Sequence, residues 1–67
     1  MNAEQAIERS VSHTEIVRLD GAEHLPELSA QAEDWTSYVD GNVRITEFWG
    51  RTGTGSEWRV HVRQPAL

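Results

Sequence analysis

Two glycine-centred breaks, Asp40-Gly41-Asn42 and Thr52-Gly53-Thr54-Gly55, cut the second half of this chain into pieces of strand length. From Trp35 onward the apolar residues recur with a period of two, the pattern of a strand with one buried face. Segments 35–39, 43–49 and 57–63 are therefore expected to form antiparallel strands joined by hairpins. A two-residue turn at Gly53-Thr54, with glycine taking the positive φ, would pair Trp49 with Trp58, Glu47 with Val60 and Ile45 with Val62. That register gathers Val43, Ile45, Trp49, Trp58, Val60 and Val62 on one face, the expected core. The opposite face then carries Arg44, Thr46, Phe48, Glu57, Arg59, His61 and Arg63.

The first half reads differently. Asn2 can cap a short helix over 2–11, with Gln5 at the capping-box position and Ala3, Ala6, Ile7 and Ser10 on one side. Ile16 and Val17, bounded by Asp20-Gly21, predict a strand over 14–19. Asp20 with Glu23 resembles a second capping box, and Pro26 is tolerated only in a first turn, so a longer helix is expected over 22–34. Leu25, Leu28, Ala32 and Trp35 would line its buried side. Pro65 is expected to end ladder pairing and leave 64–67 as a loose tail. The expectation is one small α+β domain: an antiparallel three- to four-stranded meander packed on one main helix, with a short N-terminal helix. With 67 residues and no cysteine, it must be held by packing alone.

Charge narrows the function. Residues 1–40 hold nine acids and two arginines, a formal −7, while residues 41–67 hold two acids and four arginines, a formal +2. The total of −5 opposes indiscriminate binding to a polyanion. No apolar run approaches the roughly 20 residues of a bilayer span. Glu4 and Glu8 stand where an export signal would carry basic residues, so a cytoplasmic protein without membrane contact is expected. His13, His24 and His61 lack the spacing that preorganises metal ligands. Ser10, Ser12, His13 and Glu15 supply the groups of a nucleophilic site, but neighbours along a strand point to opposite faces. The Gly-rich stretch 51–56 lacks both the Lys-Ser/Thr ending and the following helix of a phosphate loop. Neither catalysis nor a metal or other cofactor is expected.

Two surfaces are candidates for binding. Glu23, Glu27, Glu33 and Asp34 would form an acidic helix face able to imitate the phosphates of a nucleic acid inside a partner's channel. Arg44, Phe48, Arg59, His61 and Arg63 would form a cationic sheet face with one aromatic, suited to a protein anchor or to single-stranded nucleic acid. In size, acidity, single-domain build and lack of a catalytic constellation, the chain is similar to small phage-encoded inhibitor proteins, anti-CRISPR proteins among them. That likeness of type implies a non-enzymatic inhibitor or adaptor that binds a protein or nucleoprotein complex in a bacterial host. The alternatives are a small nucleic-acid-binding regulator and an antitoxin-like subunit completed as a homodimer through an apolar edge near Trp35 and Trp49. All three tryptophans are assigned to the core, and their loss is expected to unfold the domain.

Overall fold

In a computed structural model describing residues 1–67, helix α1 spans Ala3–His13 and strand β1 spans Ile16–Asp20. A short 3-10 turn, Ala22–His24, leads into helix α2, Leu25–Gln31. Strands β2 (Asp34–Asp40), β3 (Val43–Arg51) and β4 (Glu57–Pro65) complete the chain. The fold class is α+β, with both helices on one side of a four-stranded sheet ordered β1-β4-β3-β2. The sheet is mixed: β1 runs parallel to β4, while β2, β3 and β4 form the antiparallel meander.

Helix α1 begins as its sequence dictates. The Asn2 side chain accepts from the Gln5 amide at 2.8 Å, and the Gln5 side chain accepts from the Asn2 amide at 2.9 Å, which satisfies two otherwise orphaned donors. Ala3, Ala6, Ile7 and Ser10 are buried against the sheet. The helix ends at Thr14, whose φ of 50° turns the chain into β1. This helix, rather than the segment after Asp20, supplies most of the helical side of the core; α2 contributes only Leu28 to the fully buried set, with Leu25 and Ala32 packed at its margin.

The expected helix over 22–34 is thus much shorter. Asp20 caps nothing; its carboxylate instead accepts from Arg63 Nε at 3.0 Å. The helix stops because Ala32 is already extended (φ −74°, ψ 147°) and the Glu33 amide donates to the Trp49 carbonyl at 2.9 Å. Trp35, Tyr38 and Val39 favour a pleated strand, and pairing from Asp34 onward with β3 replaces three further residues of helix.

The register of β3 against β4 differs by one residue from the sequence-based expectation. Arg51 pairs with Glu57 around a five-residue loop, Thr52–Ser56, so Gly50 opposes Trp58, Phe48 opposes Val60 and Thr46 opposes Val62. Thr52 closes this loop: its amide donates to the Ser56 carbonyl, its carbonyl accepts from Gly55, and its hydroxyl accepts from the Ser56 amide. The positive φ falls on Gly55 (85°), not on Gly53. A one-residue slip exchanges the two faces of a strand. The core therefore holds Phe48, Trp58, Val60 and Val62 from the meander, with Val17 and Leu19 from β1, while Val43, Ile45 and Trp49 turn outward.

Space decides the register. In the expected pairing two indoles would oppose each other under the helices. In the observed one Trp58 lies across Gly50, where an added Cβ would come within 2.9 Å of the ring. Trp58 alone of the three tryptophans is in the core, at 2% exposure, against 54% for Trp35 and 39% for Trp49. The ladder also runs further than expected. Pro65 pairs with Val43 at the strand end, where its missing N–H is not required, and the Ala66 amide donates to the Asn42 carbonyl at 2.9 Å.

Candidate functional site

The side of the sheet away from the helices has no covering element. Its residues follow from the registers as rows running across all four strands. One row is Ile16, Arg59, Trp49 and Asp34; the next is Arg18, His61, Glu47 and Thr36; the third is Asp20, Arg63, Ile45 and Tyr38. Neighbours in a row are about 4.8 Å apart and successive rows about 6.8 Å apart, so the grid presents its groups at fixed spacing on a rigid support. Trp49 and Tyr38 (44% exposed) give it two accessible aromatic rings.

The charges on this face are only partly paired. Tyr38 donates its hydroxyl hydrogen to Glu47 Oε2 at 2.9 Å, and His61 Nε2 lies 3.9 Å from the same oxygen. The hydrogen bond to Glu47, followed by partial desolvation and the charges of Glu47 and Asp40, raises the Tyr38 pKa above 10.0. Arg63 holds Asp20 at 3.0 Å, and Arg51 lies 3.7 Å from both Glu33 and Glu57. Arg18 and Arg59 form no ion pair and flank His61 and Trp49 as the free cations of the face. Glu47, Phe48, Trp49, Arg59 and His61 border a shallow depression there.

His61 is held below the ordinary value of 6.5, first by burial and then by the charges of Arg18 and Arg59, with Glu47 acting in the opposite direction. The unfolded chain therefore takes up this proton more readily than the folded one. The contribution is complete above the ordinary histidine pKa and is lost as the pH falls through it toward the lower folded value. Thermal melts between about pH 7.5 and about pH 5.5 are expected to show Tm falling on acidification, with a smaller fall in His61→Gln. Equal slopes in the two proteins would remove His61 as the cause.

The residues singled out from the sequence are redistributed by these changes. Arg59, His61 and Arg63 stay together on the open face, but Arg44 and Phe48 turn to the helical side. There Phe48 is buried and Arg44 donates to the Ser37 hydroxyl at 3.0 Å. Of the acidic set, α2 carries only Glu27. Glu23 lies in the 3-10 turn 4.0 Å from His24, Glu33 in the following link beside Arg51, and Asp34 on β2, where it accepts from the Trp35 amide at 2.8 Å. No single helix face joins the four.

The catalytic-looking cluster near α1 is engaged structurally. Ser10 donates to the Glu15 carbonyl and accepts from the Arg59 amide, both at 2.8 Å, and the Glu15 carboxylate accepts from Arg9 Nε at 3.0 Å. Ser12 reaches His13 Nδ1 at 3.0 Å on the exposed end of the helix, apart from Ser10. The three histidines sit on three separate elements, and no group of three His, Asp or Glu side chains is arranged to hold a metal ion. No helix is long and apolar enough to cross a membrane.

Trp49, Tyr38 and Arg18 are among the members of the open face that the sequence pattern did not assign to it, as are Val43 and Ile45, both expected in the core. The signal that could have placed Trp49 there is Gly50: a glycine inside a strand marks a close approach by something bulky, and Trp58 is the bulkiest side chain within reach across the hairpin. Comparison with models of protein families, with curated proteins and with solved structures finds no match for this chain.

Proposed function

We propose that this chain is a non-enzymatic protein-binding module, an inhibitor or adaptor, that sets the open face of its sheet against a protein or nucleoprotein complex. The observation that carries the reading is Trp49, 39% exposed on an interior strand of the uncovered face and in register with the unpaired Arg59. Tryptophan, tyrosine and arginine are the residues that dominate binding energy at protein interfaces, and a rigid sheet presents them with little ordering cost. The partner suited to this face offers an apolar recess for the indole and carboxylates for Arg18 and Arg59. It differs from the basic surface that the acidic first half would select.

A nucleic-acid partner is the second reading, favoured by two exposed rings beside free arginines. Asp34, Glu47 and Asp20 stand in the same three rows and oppose a phosphate backbone, so a protein is the better fit. A bacterial host cytoplasm, with a defence complex as target, remains the proposed setting on the likeness of type.

The test is recovery of a partner from bacterial lysate on immobilised protein, with and without nuclease, comparing wild type with Trp49→Ala and Arg59→Glu. Each change is expected to weaken binding about tenfold or more at an unchanged circular dichroism spectrum. Nuclease-sensitive recovery would transfer the face to nucleic acid. Recovery indifferent to both changes but lost in Glu27→Arg would overturn the sheet-face reading.

A further inference from the structure

The two edges of the sheet are built unlike each other. β1 is five residues long, is packed by α1, and carries Arg18 at its centre. β2 is seven residues long, holds neither proline, glycine nor lysine, and keeps its charges at its ends, Asp34 and Asp40. Trp35, Tyr38 and Val39 on it are 54%, 44% and 49% exposed. Alternate amides and carbonyls along an outer strand are free to pair with another strand, and natural edges are ordinarily blunted by charge, proline, a bulge or cover. β2 has none of these along its middle.

We infer that β2 pairs with β2 of a second copy, antiparallel about Ser37, and joins two four-stranded sheets into one. The sequence Asp34-Trp35-Thr36-Ser37-Tyr38-Val39-Asp40 is complementary to itself under that operation. Trp35 meets Val39 of the second copy on the helical side, twice by symmetry, and Thr36 meets Tyr38 of the second copy on the open side. Both pairings respect the faces these residues already occupy, since Trp35, Ser37 and Val39 oppose the inward residues of β3 while Thr36 and Tyr38 oppose the outward ones. Aromatic with β-branched pairs are the favoured cross-strand contacts.

Other registers fit less well. A shift centred on Thr36 sets Trp35 against Ser37 and Tyr38 against Asp34; one centred on Tyr38 carries Trp35 past the strand end to Gly41. The Ser37 register opposes Asp34 and Asp40 only at the two solvated ends, where salt screens the repulsion, so added salt should not weaken this association. The contact is of the small class, and a dissociation constant of roughly 10–100 µM is expected.

Sedimentation equilibrium over a concentration series tests this directly. The mass of the wild type should rise from one chain to two, and Val39→Lys or Trp35→Lys, both at exposed positions, should move the midpoint upward at least tenfold with the fold retained. Because the chain has no cysteine, Ser37→Cys reports on itself: paired residues lie about 4.5–5.5 Å apart between Cα atoms, inside disulfide reach. Mild oxidation should link Ser37→Cys at least tenfold faster than Ser29→Cys on α2. A single-chain mass at all concentrations up to about 1 mM would overturn the proposal. So would a midpoint unmoved by both lysine variants, or equal linking rates for the two cysteine positions.

Discussion

Replacing Trp58 with alanine is expected to leave the chain unfolded at room temperature, whereas Trp35→Ala and Trp49→Ala are expected to fold. Trp58 is 2% exposed and fills the space over Gly50, so its removal opens a cavity that neighbouring β-sheet backbone cannot close. Large-to-small changes of this kind cost about 3–5 kcal/mol. A cysteine-free domain of this size commands about that much in total. Trp35 and Trp49 stand outside the core, at 54% and 39% exposure, and their truncation should cost about 1 kcal/mol or less. Far-ultraviolet circular dichroism and urea unfolding of the three variants check the ordering. A folded Trp58→Ala protein, or an unfolded Trp49→Ala protein, would contradict the observed register of β3.

Ser10→Ala should produce the next largest loss, about 1–3 kcal/mol, read as a lower urea midpoint at unchanged slope. The change removes only one oxygen atom. That oxygen is buried and joins three elements: it sits on α1, donates to the carbonyl of Glu15 just before β1, and accepts from the amide of Arg59 on β4. Alanine would leave both backbone groups without their partner in a place water reaches poorly. A cost well under 0.5 kcal/mol would mean that solvent replaces the hydroxyl with ease.

The parts of the fold legible in the sequence are those specified by neighbours along the chain. Asn2 and Gln5 lie three residues apart and fix the start of α1; Gly41 (φ 67°) sets the first hairpin; alternation along β4 places Trp58, Val60 and Val62 inward. The illegible parts depend on competition between distant segments. Nothing local tells whether Glu33 and Asp34 prolong a helix or begin a ladder; the carbonyl of Trp49 decides it. The acidic face expected on a long helix came apart at that point. The candidate site on the sheet suffered from a five-residue loop in place of a two-residue turn, which shifted the register by one, kept Arg59, His61 and Arg63 in place and exchanged Phe48 for Trp49. Local pattern gives a strand its two sides, and only the loop tells which side faces in.

The parallel pairing of β1 with β4 also orders events in time. β4 is the last strand along the chain yet one of the two interior strands of the sheet, and the Ser10–Arg59 bond spans 49 residues. The meander closes through short loops and can form early, while α1 and β1 have no sheet to dock on until β4 exists. During synthesis the amphipathic α1 must therefore wait with Ala3, Ala6 and Ile7 uncovered until residues 57–65 emerge. In that interval the newborn chain is most open to chaperones, to proteases and to premature contact with other chains.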